Sequence, residues 1–135
     1  MIFAYRPTQS GLERLPVDGD LKEALWIDMS HPMPEQVAAV EALGISVPSL
    51  ADMEEIELSN RLYREGETEV LTIVLPGLDK EKNPSFGPVA FLLTPERLFT
   101  VRYHTPRPFE TFASHAAQSS AGFAGRRRVF LGLIE

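Results

Sequence analysis

The chain has 135 residues, of which 44% are apolar and 24% charged, and it contains no cysteine. This length fits one domain of ordinary size, and the composition is that of a globular protein. The lack of cysteine excludes disulfides, Cys-ligated metal sites and a thiol nucleophile. No apolar run approaches the roughly 18 residues of a membrane helix, and the start does not resemble a signal peptide. We therefore expect a soluble cytoplasmic domain.

The net charge of −6 is unevenly distributed. Residues 1–96 contain 17 acidic and 7 basic side chains, whereas residues 97–135 contain 2 and 6. An acidic surface repels polyanions, so we expect no nucleic-acid partner for most of the domain. A cation is the more natural ligand of the acidic part, although such a surface can also serve solubility alone.

The first half of the chain predicts three short strands, at residues 2–5, 12–15 and 26–29, and a helical turn at 21–25. A helix over residues 34–43 follows, because Ser30 and the prolines up to Pro34 are start signals and apolar residues then recur at helical spacing. We expect Gly44 to adopt a left-handed conformation after this helix, with Ile45 packing back on it.

A second helix begins near Ser49, which forms a capping-box pattern with Asp52 three residues later. An apolar stripe along it comprises Leu50, Met53 and Ile56. Four acids fall within six positions, namely Asp52, Glu54, Glu55 and Glu57. Acids near a helix N-terminus are favoured by its dipole, but this many also repel one another.

The second half predicts strands at residues 69–75, 86–93 and 97–103. The first of these is nearly all apolar, which predicts burial on both faces. Thr94-Pro95-Glu96 predicts a tight turn between the other two, so part of the sheet should be antiparallel. A helix with Phe109, Phe112 and Ala116 on one face follows, and residues 126–135 begin another. That last helix ends without a cap, which favours a fragment of a longer protein. Together the elements predict an α/β sandwich with a mixed sheet.

Catalytic groupings are absent from the sequence, which contains no Gly-x-Ser-x-Gly, Walker loop or Gly-x-Gly-x-x-Gly. We therefore expect no enzyme. A zinc site from His31, His104 and His115 would require the fold to collect them, and local hydrogen bonding is the alternative. The basic run at residues 126–128 is typical of a solvated helix face.

The acidic cluster is the one candidate ligand site. Asp52 and Glu55 are three residues apart and share a helix face, and hard cations such as Mg²⁺ bind carboxylate oxygens. Mg²⁺ keeps most of its waters, so one or two carboxylates suffice. The alternative from chemistry alone is that Asp52 only caps its helix.

Several stretches together resemble a known family. Trp-Ile-Asp-Met at residues 26–29, Gly-Ile at 44–45, Val-Pro-Ser-Leu-Ala-Asp-Met-Glu-Glu-Ile-Glu at 47–57 and Ser-Asn-Arg-Leu-Tyr at 59–63 strongly resemble the cytoplasmic N-terminal domain of CorA-type divalent cation transporters. The resemblance extends over nearly the whole chain, and the block at 44–63 is its most specific part. Ala51 departs from the pattern, because some relatives have an acid there.

The resemblance implies a three-layer α/β/α domain over residues 1–125 and the start of a long helix at 126–135. It also implies a homopentamer in an inner membrane, which the full-length protein reaches through C-terminal helices that this sequence lacks. By the same resemblance Asp52 falls on a position where Mg²⁺, or another divalent cation such as Co²⁺, binds and regulates the pore. Its partner carboxylate would lie on a later helix, so the domain alone should bind metal weakly.

Three functional interpretations remain open from the sequence. The first is the ion-sensing domain of a Mg²⁺/Co²⁺ channel. The second is the same domain of a ZntB-like zinc transporter, because the ion filter that would separate the two is missing. The third is a stand-alone module whose acidic helix binds a basic protein.

Overall fold

The structure is a computed structural model that describes residues 1–9, 11–16, 18–55 and 62–109. Within this part of the chain, eight strands form one mixed sheet. The strands are β1 (Ile2–Thr8), β2 (Gly11–Arg14), β3 (Trp26–Ser30), β4 (Leu62–Glu65), β5 (Thr68–Leu78), β6 (Pro84–Leu93), β7 (Leu98–Arg102) and β8 (Thr105–Pro106). Their order is β2-β1-β3-β7-β6-β5-β4, and β8 pairs with the far end of β5.

The centre of the sheet is the parallel pair β3 and β7, and the other pairings are antiparallel. Every residue of β7, and β3 from Trp26 to Met29, is buried. The sequence predicts burial on both faces for residues 69–75, which lie in β5 and not in the central pair, and that prediction is wrong. In β5 only Val70 and Thr72 are buried, while Val74 is 47% exposed. Most of β5 is therefore only partly buried, so an apolar run does not by itself mean burial on both faces.

The first helix, α1 (Pro34–Glu41), has proline at its first position, as the sequence predicts. The Gln36 Oε1 atom accepts a hydrogen bond from the Met33 backbone N–H at 2.9 Å, which satisfies one donor before the first turn. The helix ends two residues earlier than predicted. Gly44 has φ +102°, which confirms its expected left-handed conformation.

The second helix, α2 (Leu50–Glu55), is held to the sheet by Met53, which is 3% exposed. Val40 of α1 and Met53 of α2 belong to one apolar cluster with Ile27 and Met29 of β3. Both helices therefore cover the same face of the sheet. Trp26 of β3 and Phe91 of β6 belong to a second cluster on the opposite face, which also includes Phe109.

Two turns show how local sequence determines the sheet. The predicted turn after β6 is confirmed, because the Thr94 backbone N–H donates to the Arg97 carbonyl at 3.0 Å and the Thr94 hydroxyl bonds the same residue. Strand β4 was not predicted. It pairs with β5 across a turn at Gly66, whose φ of +61° favours glycine.

The predicted α/β class with a mixed sheet is confirmed. The helix predicted with Phe112 and Ala116, the helix over 126–135 and the boundary between residues 125 and 126 lie outside the described residues. The same holds for Ile56 and Glu57.

Candidate metal centre

The carboxylate of Asp52 lies in the first turn of α2 and helps to begin that helix. Its Oδ2 accepts a hydrogen bond from the Ser49 backbone N–H at 3.1 Å, and the Asp52 backbone N–H donates to Ser49 Oγ at 3.1 Å. This reciprocal pair is the predicted capping box, with an aspartate in the position more often held by glutamate. Asp52 therefore has a capping role in this structure.

The capping bond leaves Asp52 free to contact an ion. The side chain is exposed, and its Oδ1 atom has no hydrogen bond within the described residues. Glu55, three residues later on the same helix, is exposed as well. Residues at this spacing are neighbours on a helix surface. Buried Met53 holds α2 against the sheet, and Asp52 lies near Tyr63 of β4, where burial and then the charges of Glu65 and Asp52 raise the pKa of the phenol.

Two carboxylates alone do not make a closed metal site. Within the described residues, no group of three or more His, Asp or Glu side chains could hold a metal ion. A cation at Asp52 and Glu55 would therefore take its remaining ligands from water or from another chain, which is coordination typical of Mg²⁺.

The two described histidines are each engaged locally. The Nδ1 atom of His31 lies 3.1 Å from Ser30 Oγ, and burial together with the Lys80 charge lowers the pKa of His31. The buried His104 has its Nε2 atom 2.8 Å from the Leu75 carbonyl. Both described histidines thus form local hydrogen bonds, which was the alternative to a zinc site. His115 lies outside the described residues.

A buried polar network is the feature that the sequence analysis missed. Arg102 binds Asp28 through Nε and Nη2, at 3.2 and 2.9 Å, and Asp28 also accepts from the Thr100 hydroxyl at 2.8 Å. The Trp26 indole N–H donates to the same hydroxyl at 3.0 Å. Burial raises the pKa of Asp28, and the Arg102 charge opposes that rise. The signal was present as a carboxylate and a guanidinium within two mostly apolar strands.

This network lies away from the acidic helix. Side chains alternate along a strand, so Asp28 and Trp26 point to the face opposite Ile27 and Met29, which pack against α1 and α2. The network therefore stabilises the sheet and is separate from the Asp52 site.

Comparison with known proteins gives both sequence and structural relatives, although no family model matches the sequence. The magnesium transport protein CorA of Haemophilus influenzae is 33% identical over the whole chain and 44% of its own length. CorA of Escherichia coli is 27% identical over the same shares. The solved structure of the CorA magnesium transporter from Methanocaldococcus jannaschii aligns with 98% of this chain and 44% of its own, at a TM-score of 0.65 and 12% identity.

The chain is CorA-like in sequence and in fold. The predicted resemblance is thus confirmed, and the CorA-like chain spans less than half the length of these relatives. The ZntB cytoplasmic domain from Vibrio parahaemolyticus has a similar fold, with a TM-score of 0.57 at 14% identity over 97% of this chain and 56% of its own. The fold alone therefore does not distinguish a CorA domain from a ZntB domain. Among the described residues, no helix is both long and apolar enough to cross a membrane.

Proposed function

We propose that this chain is the cytoplasmic, ion-sensing domain of a CorA-type Mg²⁺/Co²⁺ transport channel in the inner membrane. The observation that supports this most directly is the similarity to curated CorA proteins over the full length of the chain. Transport itself would require segments beyond this chain, which covers 44% of those relatives.

The proposed ion ligand is Asp52, with Glu55 as its neighbour. Asp52 presents an exposed carboxylate whose Oδ1 atom is not used by the helix cap. Because the described residues offer no third acidic ligand here, Mg²⁺ would bind weakly to one domain and more tightly where a second chain supplies a carboxylate. A homopentamer would place such neighbours around one pore.

In this mechanism Asp52 and Glu55 would hold Mg²⁺ together with a carboxylate of an adjacent subunit, and the charge of the ion would offset the repulsion between these groups. Without the ion, the like charges of these carboxylates would favour separation of the domains. The ion shifts the balance between closed and open states only by its differential affinity for the two. Internal Mg²⁺ thus inhibits transport by holding the domains together.

A ZntB-like zinc transporter is the second candidate, supported by the fold similarity to the Vibrio parahaemolyticus domain. The two candidates differ in the ion that passes through the membrane part. Comparing Mg²⁺ and Zn²⁺ uptake by cells expressing the full-length protein separates them.

The test of the sensing role is inhibition of current by internal Mg²⁺ in the full-length protein. The Asp52→Asn variant keeps an oxygen that can accept the Ser49 N–H bond but loses the negative charge. We expect it to need at least about tenfold more Mg²⁺ for half-inhibition, since a charged ligand is lost. Glu54→Gln is the matched control, because Glu54 is exposed on the same helix two residues away and does not share the Asp52 face. Equal sensitivity of Asp52→Asn and wild type would remove Asp52 from the mechanism.

A further inference from the structure

A short segment after β7 lies closely against the β5–β6 hairpin. This segment, residues 104–106, is called the strap below. It includes β8, in which Thr105 pairs with Leu78 and Pro106 with Gly77. A Cβ atom on Gly77 would lie 2.5 Å from the Thr105 carbonyl oxygen, so no side chain fits there. The strap is thus built into the sheet by close backbone contact.

The first residue of the strap, His104, is 4% exposed and touches both strands of the hairpin. Its Nε2 atom is 2.8 Å from the Leu75 carbonyl of β5. A carbonyl only accepts, so Nε2 must carry the proton of the neutral ring. Its other nitrogen, Nδ1, faces Gly87 of β6, where an added Cβ would lie 2.9 Å away. That Nδ1 atom is buried and has no hydrogen-bond partner in the part of the chain that the structure describes.

Protonation of the imidazole would put a second N–H at this unpartnered position. A buried donor without an acceptor is unfavourable, and a buried charge without a partner is more so. The strands that pack on the ring offer no compensation. Strand β6 contains no ionisable residue, and β5 contains only Glu69, at the opposite end from Leu75.

Among the described residues, the charged groups on the strap side do not offer compensation either. Arg102 of β7 is a cation, and the carboxylate of Asp28 of β3 is already engaged by it. Tyr103 precedes the strap and Arg107 follows it. Burial raises the pKa of Tyr103, so this phenol stays neutral near pH 7. A protonated His104 would therefore lie near the like charge of Arg102, which donates to the His104 carbonyl.

The strap also fixes the chain that follows it. Arg102 Nη1 donates to the His104 carbonyl at 3.0 Å and to Thr105 Oγ1 at 3.3 Å. The same guanidinium lies over the ring of Phe109, 5.2 Å from its centroid. Displacement of the His104 ring would weaken these contacts together, whereas the β3–β7 pairing does not depend on them.

We propose that His104 is a proton-sensitive clasp: uptake of one proton by its imidazole releases residues 104–109 from the sheet while the rest of the sheet stays folded. This inference concerns the chain itself and does not depend on the proposed transport function.

Hydrogen exchange of the full chain tests the clasp. After correction for intrinsic exchange, protection of residues 104–109 should fall as the pH is lowered from 7.5 to 5.5, by no more than about tenfold per pH unit, because the release is linked to one proton. Protection of β3 and β7 should change much less. In His104→Gln, whose amide nitrogen can still donate to Leu75, protection of 104–109 should not depend on pH.

His31→Gln is the second variant, because the His31 ring contacts that of Tyr103, the residue before the strap, at 5.8 Å between centroids, so the variant measures any contribution of His31 to an acid response there. It should keep the wild-type pH response at residues 104–109. Unchanged protection of that segment in the wild type, or the same acid response in His104→Gln, would overturn the proposal.

A second measurement keeps the proposal testable if His104→Gln does not fold. NMR of the ring nitrogens in the wild type gives the protonation midpoint of His104 directly. That midpoint should coincide with the loss of protection at 104–109. A protonated His104 in a fully protected strap would contradict the clasp.

Discussion

The guanidinium of Arg102 binds the carboxylate of Asp28 in the interior of the sheet, with Nη2 2.9 Å from Oδ2. The side chains are 8% and 4% exposed, so both charges are removed from water. The parallel register pairs Asp28 with Thr100, which puts Arg102 two residues along the same face of β7. Each buried charge thus depends on the other to replace its lost interactions with water.

Removal of one partner should therefore be costly. We expect Asp28→Ala to lower the free energy of unfolding by about 3–5 kcal/mol, because Arg102 would remain buried and unpaired. Urea unfolding measures this loss. The control is Glu13→Ala, which breaks the exposed pair with Arg6 and should cost less than about 1 kcal/mol. If the two variants lose similar amounts of unfolding free energy, burial is not what makes the Asp28–Arg102 pair costly to break.

The capping box gives a smaller and more local prediction. Ser49→Ala removes the hydroxyl that accepts the Asp52 N–H bond, and we expect a loss of about 1 kcal/mol in the same assay. Asp52→Asn should cost less, since the amide oxygen can replace Oδ2 as the acceptor from Ser49. If Asp52→Asn proves as damaging as Ser49→Ala, the negative charge itself stabilises the helix.

Alkaline pH should destabilise the fold in part through Tyr5. Burial, and then the negative charge of Asp28, raises the pKa of Tyr5 above 10.0. The folded state therefore holds this proton more tightly than the unfolded state. The resulting stability is fully present below about pH 10 and is lost as the pH rises through the raised pKa.

Tyr5→Phe should keep the stacking on Trp26, whose ring centroid lies 4.7 Å from that of Tyr5, but lose the titrating hydroxyl. Denaturant midpoints measured from about pH 9 upward should then fall less steeply than in the wild type. If the denaturant midpoints of Tyr5→Phe and the wild type fall equally with rising pH, groups other than Tyr5 cause the loss of stability at alkaline pH.

Local rules predicted the elements whose signals are local. Pro34 and Gly44 mark one helix, Ser49 and Asp52 begin the next, and Thr94 makes the hairpin turn. These residues act through their own backbone and its nearest hydrogen bonds, so the sequence contains the necessary information.

Features that depend on distant strands were not predictable in this way. The apolar run of β5 gave the wrong burial, because such a run shows which residues favour burial but not which part of the chain covers them. The exposed strand β4 has no alternation to reveal it. Asp28 and Arg102 meet only because β3 and β7 pair in parallel across 74 residues. The metal role of Asp52 and Glu55 stays a prediction.

The central claim is that Mg²⁺ at Asp52 holds neighbouring domains together, and the distance between them tests it most directly. The chain has no cysteine, so Ala51→Cys gives a single, exposed labelling position in it, beside Asp52. Spin labels there in the full-length protein report distances between subunits. We expect a shorter and narrower distribution with Mg²⁺ than without it, and no such difference when Asp52→Asn is also present. Distances that respond to Mg²⁺ equally with and without the Asp52 carboxylate would contradict the claim.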